Sequence, residues 1–278
     1  MTRSRNGSGT RHARSVAMRG MTRSRSGRLV LQLLLPIALV WAWWWTSRGS
    51  TSYFWPALTD IIGSIRSDWL FDQFMTDLVP SLMRFTLGYL LAVSVGIAAG
   101  TLIGLLPRLR RATTPVTEFV RAIPPPLLLP FAIVTLGIGD LSKIVVIALG
   151  AVWPVLLNTV DGVRGVDRLT VDMARSYGLG PWRRVFHVIL PGASPKIAVG
   201  MRIGLAVALI LMIISEMVGS TNGLGFRVLD AQRSFDAAGT YGGVIVIGIV
   251  GLIVNAGFLV AETRIMRWYR GSRGLVDG

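Results

Sequence analysis

Long apolar stretches alternate with short polar segments along this chain. Six stretches stand out: Leu29–Trp45, Phe85–Pro107, Ala122–Gly139, Ile144–Val160, Ile197–Ser220 and Ala237–Ala261. A helix crossing the hydrocarbon core of a bilayer takes roughly 20 mostly apolar residues. The pattern therefore predicts an all-α integral membrane protein with six transmembrane helices. The first stretch is uncharged and ends in Trp41, Trp43, Trp44 and Trp45, as an interfacial aromatic belt would. It is not expected to be a cleaved signal, because no small-residue cleavage site follows. The second carries Gly88, Gly96, Gly100 and Gly104. Small residues four apart let a helix approach closely, and that helix is either another subunit's or one of this chain's own. The third opens with Pro124-Pro125-Pro126 and contains Pro130, which predicts a kinked or partly unwound start. The fourth contains Trp153-Pro154, and the sixth is rich in glycine.

These spans divide the chain into a basic tail at 1–28, a first transmembrane helix at 29–47, an external segment at 48–77, a core of five transmembrane helices at 78–265 and a short tail at 266–278. Within the core lies a polar loop at 162–195. The 1–28 segment is rich in Arg, Ser and Gly with few large apolar side chains, so it is expected to be disordered. Its Met1-Thr2-Arg3-Ser4-Arg5 recurs as Met21-Thr22-Arg23-Ser24-Arg25, a local duplication or a start placed early. In the external segment Ala57–Ile65 has apolar residues at helical spacing, which predicts a short surface helix. Asp60, Asp68, Asp72 and Asp77 make that segment acidic, for docking a partner or merely for solvation.

Charge then sets the orientation. If the N-terminus lies in the cytoplasm, 21 basic residues fall in cytoplasmic segments against five outside. Positive loops stay inside, so both termini and the 162–195 loop are expected in the cytoplasm of a bacterial inner-membrane protein. The net charge of +15 reads as topology and headgroup attraction rather than nucleic-acid binding. Only 15% of the residues are charged, against about a quarter in soluble domains. With no cysteine and only His12 and His187, neither a metal site nor a catalytic residue is expected.

The loop has a legible build. Arg168–Tyr177 suits a short helix, and Gly178 can end it. Gly180-Pro181 can begin a second, with proline at its first position. That second helix places Trp182, Val185, Phe186 and Ile189 on one face and is expected to break at Leu190-Pro191-Gly192. Such an element either seats in a partner's groove or rests on headgroups.

Asp172-Met173-Ala174-Arg175-Ser176-Tyr177-Gly178, with Val188-Ile189-Leu190-Pro191 after it, resembles the "EAA" loop of ABC importer permeases, a Glu-Ala-Ala-x3-Gly-x9-Ile-x-Leu-Pro pattern. Asp172 stands for the Glu, Met173 for the first Ala and Val188 for the Ile. Ala174, Gly178, Leu190 and Pro191 match. Three further segments resemble permeases of the nitrate, sulfonate and taurine type: Ser81–Tyr89, Glu118–Pro125 running on to Gly137–Lys143, and Ser215–Gly219 with Gly223-Leu224-Gly225. The likeness covers roughly residues 78 to 265. It implies a type I importer permease fold, the MetI-like arrangement, and a subunit of a binding-protein-dependent transport system. It further implies a second permease copy, often making a homodimer, and an extracytoplasmic solute-binding protein. Cytoplasmic ABC ATPase subunits would bind the ATP and Mg and dock on the loop through Asp172, Ala174, Arg175, Tyr177, Gly178, Leu179, Gly180 and Trp182. The solute implied is a small anion such as a sulfonate, taurine or nitrate, with bicarbonate and pyrimidine precursors as alternatives.

The chain itself has no ATP-binding loop. A P-loop needs Gly-x4-Gly-Lys-[Ser/Thr], and the only lysines, Lys143 and Lys196, follow Ser142 and Pro195. Charges at membrane depth are costly and call for a reason. Arg84, Arg121 and Glu216 are the candidates for lining a translocation path. Arg84 and Glu216 fall at the outer ends of their spans, where they either pair or attract substrate. Arg121 and Arg202 fall near inner ends, where snorkelling to headgroups also serves. Asn158 and Asn255 are candidates for bridging helices. A stand-alone secondary transporter is the alternative, but it would be expected to carry more intramembrane acids than Glu216. A membrane enzyme would need a His/Asp/Glu cluster that the spans lack.

Overall fold

A computed structural model describes residues 25–50, 52, 54–67 and 74–267. Almost all of the 1–28 tail, most of the 266–278 tail, and Asp68 and Asp72 lie outside the described residues. Every regular element is helical among the described residues. The chain divides into two compact units, Met1–Ile62 and Gly63–Gly278.

In the first unit, α1 (Arg25–Ser47) tolerates an internal Pro36, and its apolar part with described side chains is Leu34–Ser47. Its tryptophans form a ring cluster. Trp41 and Trp45 stack at 5.7 Å, Trp43 meets Trp55 at 6.2 Å, and the Arg48 guanidinium lies 4.0 Å from the Trp44 ring centroid. The expected surface helix is α2 (Leu58–Ser64). Its first amide, Leu58 N–H, donates to the buried Ser47 hydroxyl at 3.3 Å.

The second unit holds the bundle: α3 (Val79–Leu105), α4 (Pro107–Ala122), α5 (Leu128–Leu136), α6 (Asp140–Arg164), α7 (Arg168–Ser176), α8 (Pro181–Gly219), α9 (Leu224–Arg233) and α10 (Ala237–Ile265). Four of these (α3 with the turn before it, α6, α8 and α10) are long and apolar enough to span a membrane. The expected third span at Ala122–Gly139 proves to be a broken pair, α4 and α5, bent by 79°. Pro124 to Pro126 sit at the break, where a short 3-10 turn runs Pro125–Leu127. The basic stretch after Leu106 is thus a helix start rather than a loop. Counting the broken pair as one span and α1 as another is compatible with six.

α6 is the central helix, packed between α3 and α8. Close approach is what makes it central. Gly88, Gly96, Gly100 and Gly104 of α3 all face α6, where added Cβ atoms would lie 2.7–2.9 Å from Ile147, Val155, Thr159 and Val163. The GxxxG pairs therefore serve packing inside this chain. From the other side, Gly200 of α8 abuts the Pro154 carbonyl and Asn158, and Gly204 abuts Ala151. Asn158 does not bridge helices. It donates to the Pro154 carbonyl of its own helix at 2.8 Å, and Asn255 is exposed. Around this seam lies the main core, including Phe85, Tyr89, Leu129, Ile147, Leu205, Met212 and Leu224. α10 is mostly exposed and apolar, with an Arg202–Glu262 ion pair of 2.6 Å tying it to α8. Broad exposed apolar faces are what a bundle solvated by lipid presents.

Candidate functional site

The 168–191 segment folds as two helices joined by a tight turn. Asp167 caps α7, its carboxylate accepting from Leu169 N–H at 3.2 Å, which satisfies one of the donors a helix start leaves free. At the other end Leu179 N–H donates to the Ala174 carbonyl and Gly178 N–H to the Arg175 carbonyl, at 3.1 and 3.0 Å. These are the two bonds of a Schellman cap. The cap needs a left-handed residue, and Gly178 takes φ +76°. Pro181 then starts α8, with Gly180 accepting from Arg184 N–H at 3.0 Å.

The expected break at Leu190-Pro191-Gly192 does not occur. α8 runs unbroken from Pro181 to Gly219. A π-turn at Val185–Ile189 widens the helix just ahead of Pro191, and Leu190 N–H reaches back to Val185. Such a turn absorbs the proline's missing donor and ring bulk without a break. Further on, the Ser194 hydroxyl donates to the Pro191 carbonyl that Pro195 frees, at 2.8 Å.

Ala174 is the one buried residue of α7. Val171 and Val185 pack on a small core of Val163, Ile189, Ala193 and Ile197, which seats the loop against the ends of α6 and α8. On the other side of α7, Leu169, Met173 and Tyr177 follow at spacings of four and are exposed, Tyr177 by 80%. Trp182 is 75% exposed. Asp172, Arg175, Gly178 and Gly180 are exposed and Leu179 half-buried. The residues singled out from the sequence thus lie together on one protruding turn, except that Ala174 faces inward. Trp182 and Phe186 share a face with Val185, as the helical spacing implied, and line an open groove toward α3, but the two aromatic rings are not buried. They stack on each other at 6.3 Å and remain largely exposed, while Val185 and Ile189 turn inward. Leu169 is the residue that sequence reasoning missed; its spacing of four from Met173 was the available signal.

At the opposite end of the bundle a buried ionic cluster joins four segments. Arg84, 3% exposed, donates from Nη1 to Glu216 at 2.8 Å and from Nε to Asp140 at 2.7 Å. From Nη2 it donates to the Asn222 side chain at 2.6 Å. Glu216, with no exposed surface, also accepts from the Ser81 hydroxyl at 2.8 Å and Gly225 N–H at 3.1 Å. Asp77 accepts from Gly223 N–H at 2.7 Å, and Ser81 accepts from Leu224 N–H at 2.9 Å. No buried side-chain nitrogen or oxygen lacks a partner among the described residues. Gly223 is held at φ +115°, where a Cβ would stand 2.5 Å from the Glu216 carboxyl carbon. The sequence put Arg84 and Glu216 at the same level of the bundle but did not join Asp77 to Gly223 or Arg84 to Asn222, on a turn 130 or more residues later.

Arg121 stands elsewhere, at the end of α4 beside the 79° break. It is half-exposed and pairs with Glu118 one turn earlier. No group of three His, Cys, Asp or Glu residues that could hold a metal is present among the described residues.

Comparison with known proteins agrees with this arrangement. Residues 92–271 match the family model of the binding-protein-dependent transport system inner membrane component. The chain is 31% identical over 194 residues to a putative aliphatic sulfonates transport permease protein, SsuC, of Bacillus subtilis, covering 70% of each chain. It is 34% identical over 192 residues to the taurine transport system permease protein TauC of Escherichia coli, covering 69% of this chain and 70% of that one. Among solved structures, the MetNI methionine ABC transporter in an inward-facing conformation superposes with a TM-score of 0.57 at 22% identity, over 69% of this chain and 93% of that chain.

Proposed function

The chain belongs to the family of binding-protein-dependent transport system inner membrane components, the permease subunits of ABC importers, and from this premise we propose that the turn around Gly178 is the socket through which an ATPase subunit drives the bundle. The chain is a multi-pass membrane subunit and not itself an enzyme; ATP hydrolysis belongs to a separate subunit. The socket is supported by one observation above others: an exposed ridge of Leu169, Met173 and Tyr177 on a helix whose end is locked by a Schellman cap and whose inner face is packed against α6 and α8. A rigid ridge with exposed apolar and aromatic side chains suits insertion into a groove on a partner. A lever must also favour one partner arrangement over another, since a contact equal in both states shifts nothing.

The rest of the assembly follows from the same premise. A second copy of the chain completes the pore, a solute-binding protein delivers substrate to the face holding the ionic cluster, and the Gly178 face and both termini lie in the cytoplasm, supported by the excess of arginine on that side. We assign the solute to small oxyanions, sulfonates and taurine first and nitrate next. The names of the relatives support sulfonates and taurine; Arg84 supports no anion, since its donors are taken by Glu216, Asp140 and Asn222. Of the three path candidates, Arg121 at the helix break is the one placed as path-lining residues are, because broken helices border transport routes.

Because the chain contains no cysteine, Tyr177→Cys supplies a unique handle. In proteoliposomes holding the whole importer, a short cross-linker is expected to join it to the ATPase, with a yield that changes between the nucleotide-free and ATP-bound states. No cross-link in either state would overturn the socket. A thermal-shift screen of the partner binding protein against sulfonates, taurine and nitrate tests the solute separately.

A further inference from the structure

Between α3 and the start of α8 lies a groove of about 890 Å³ with an almost wholly apolar wall. Ile97, Leu102 and Leu105 form one side, and Trp182, Val185 and Phe186 the other. On α3 the lining runs from Val93 to Leu106, about 20 Å of helix at 1.5 Å per residue. One leaflet contributes roughly 15 Å of hydrocarbon, so the groove has the length of a lipid tail.

Its two ends differ in charge. Beyond Leu106 come Arg108, Arg110 and Arg111, while Arg183 and Arg184 lie in the first turn of α8, between the lining residues Trp182 and Val185. None of the five pairs with a carboxylate among the described residues, where the arginines in ion pairs are Arg84, Arg121, Arg164, Arg202 and Arg227. The far end, at Val93 and Ser94, is uncharged. Apolar walls for a leaflet's depth, closed at one end by unpaired guanidinium groups, match one molecule in both shape and charge.

We propose that this groove binds an anionic phospholipid from the membrane, with an acyl chain lying between Leu102 and Phe186 and its phosphate on the arginines at the mouth. Guanidinium groups take phosphate oxygens in pairs, and basic pockets between membrane helices hold anionic headgroups. A soluble partner has no way to fill a trench reaching this far into hydrocarbon. The site goes beyond the docking of an ATPase and does not depend on it.

The test uses the whole importer, purified in mild detergent and mixed with phosphatidylglycerol or phosphatidylcholine of equal chain length, with retained lipid counted by native mass spectrometry. Phosphatidylglycerol is expected to be retained at least tenfold better. Each guanidinium near a membrane surface contributes a factor of about five, so Arg108→Gln with Arg110→Gln should lower that retention on the order of tenfold or more. Ala98→Trp, which fills the groove, should abolish it with the arginines intact. Should Ala98→Trp not fold, quenching decides: phosphatidylglycerol brominated on its tails should quench Trp emission, and Trp182→Phe should remove part of that quenching. Equal retention of the two lipids, retention unchanged in the arginine variant, or a groove that a second copy of the chain or the ATPase keeps free of lipid would each overturn the proposal.

Discussion

Replacing Glu216 with Gln tests the ionic cluster. The change keeps the side-chain shape and removes the charge. Arg84, 3% exposed, then retains Asp140 as its only anionic partner, and Asp140 is 47% exposed. The new amide also turns an NH2 group toward either Arg84 Nη1 or Gly225 N–H, both of which donate to Glu216 in the native cluster. Breaking one side of a buried ion pair costs about 3–5 kcal/mol, and setting donor against donor leaves part of that unrecovered. Asp140→Asn removes a charge of the same sign from the same guanidinium. At a half-exposed site its contribution is about 1 kcal/mol or less. The prediction is thus a ranking: Glu216→Gln destabilises by roughly three times as much as Asp140→Asn or more. Equilibrium unfolding in mixed micelles, followed by tryptophan fluorescence, measures both. Equal losses for the two variants, or a loss below about 1 kcal/mol for Glu216→Gln, would refute the view that burial makes this pair the clamp.

Other expectations are quickly stated. Gly178→Ala forces a side chain into the left-handed region at a cost of about 1–2 kcal/mol, so transport-coupled ATP turnover should fall, while Gly178→Asn, which tolerates that conformation, should retain most of it. Gly100→Ala sets a methyl 2.7 Å from the Thr159 Cβ and 2.8 Å from the Leu156 carbonyl. Overpacking of this kind costs about 1–3 kcal/mol, readable as a lowered melting temperature in detergent, whereas Gly248→Ala, with open space around it, should be silent. Arg121→Gln should alter the solute concentration dependence of uptake in proteoliposomes without changing the melting temperature, since its Glu118 partner is half-exposed; a purely structural Arg121 would give the reverse.

The six apolar stretches and the two-helix loop were legible because each is a local property. Span length and Gly178 before Gly180-Pro181 act within a few residues of where they are written. The spans were read too short at their charged ends. Asp140 and Lys143 extend α6 outward, because Asp140 meets Arg84 and the Lys143 ammonium donates to the Gly139 carbonyl at 2.9 Å, so neither charge is left bare. Prolines were read correctly at one place and not at another. Pro124 to Pro126 do break a helix, while Pro191 and Pro195 do not, because a π-turn and the Ser194 hydroxyl restore what each proline removes. That difference depends on neighbours a turn away, which a lone proline does not reveal. The Asp77–Gly223 and Arg84–Asn222 contacts had no local signature at all, since they join the start of α3 to a turn more than 130 residues later.

α8 connects the two sites directly. It begins at Pro181 beside the Gly178 turn and ends at Gly219, one turn past Glu216. At 1.5 Å per residue its 39 residues span about 58 Å. Glycine contacts press its middle against α6, so it is braced along its length. At the loop end the π-turn at Val185–Ile189 and the Ser194 hydroxyl keep the helix continuous past two prolines. The far end of this helix carries the carboxylate that holds Arg84, Ser81 and the 223–225 turn together. One continuous helix thus joins the exposed, capped turn at one end of the bundle to the buried ionic cluster at the other.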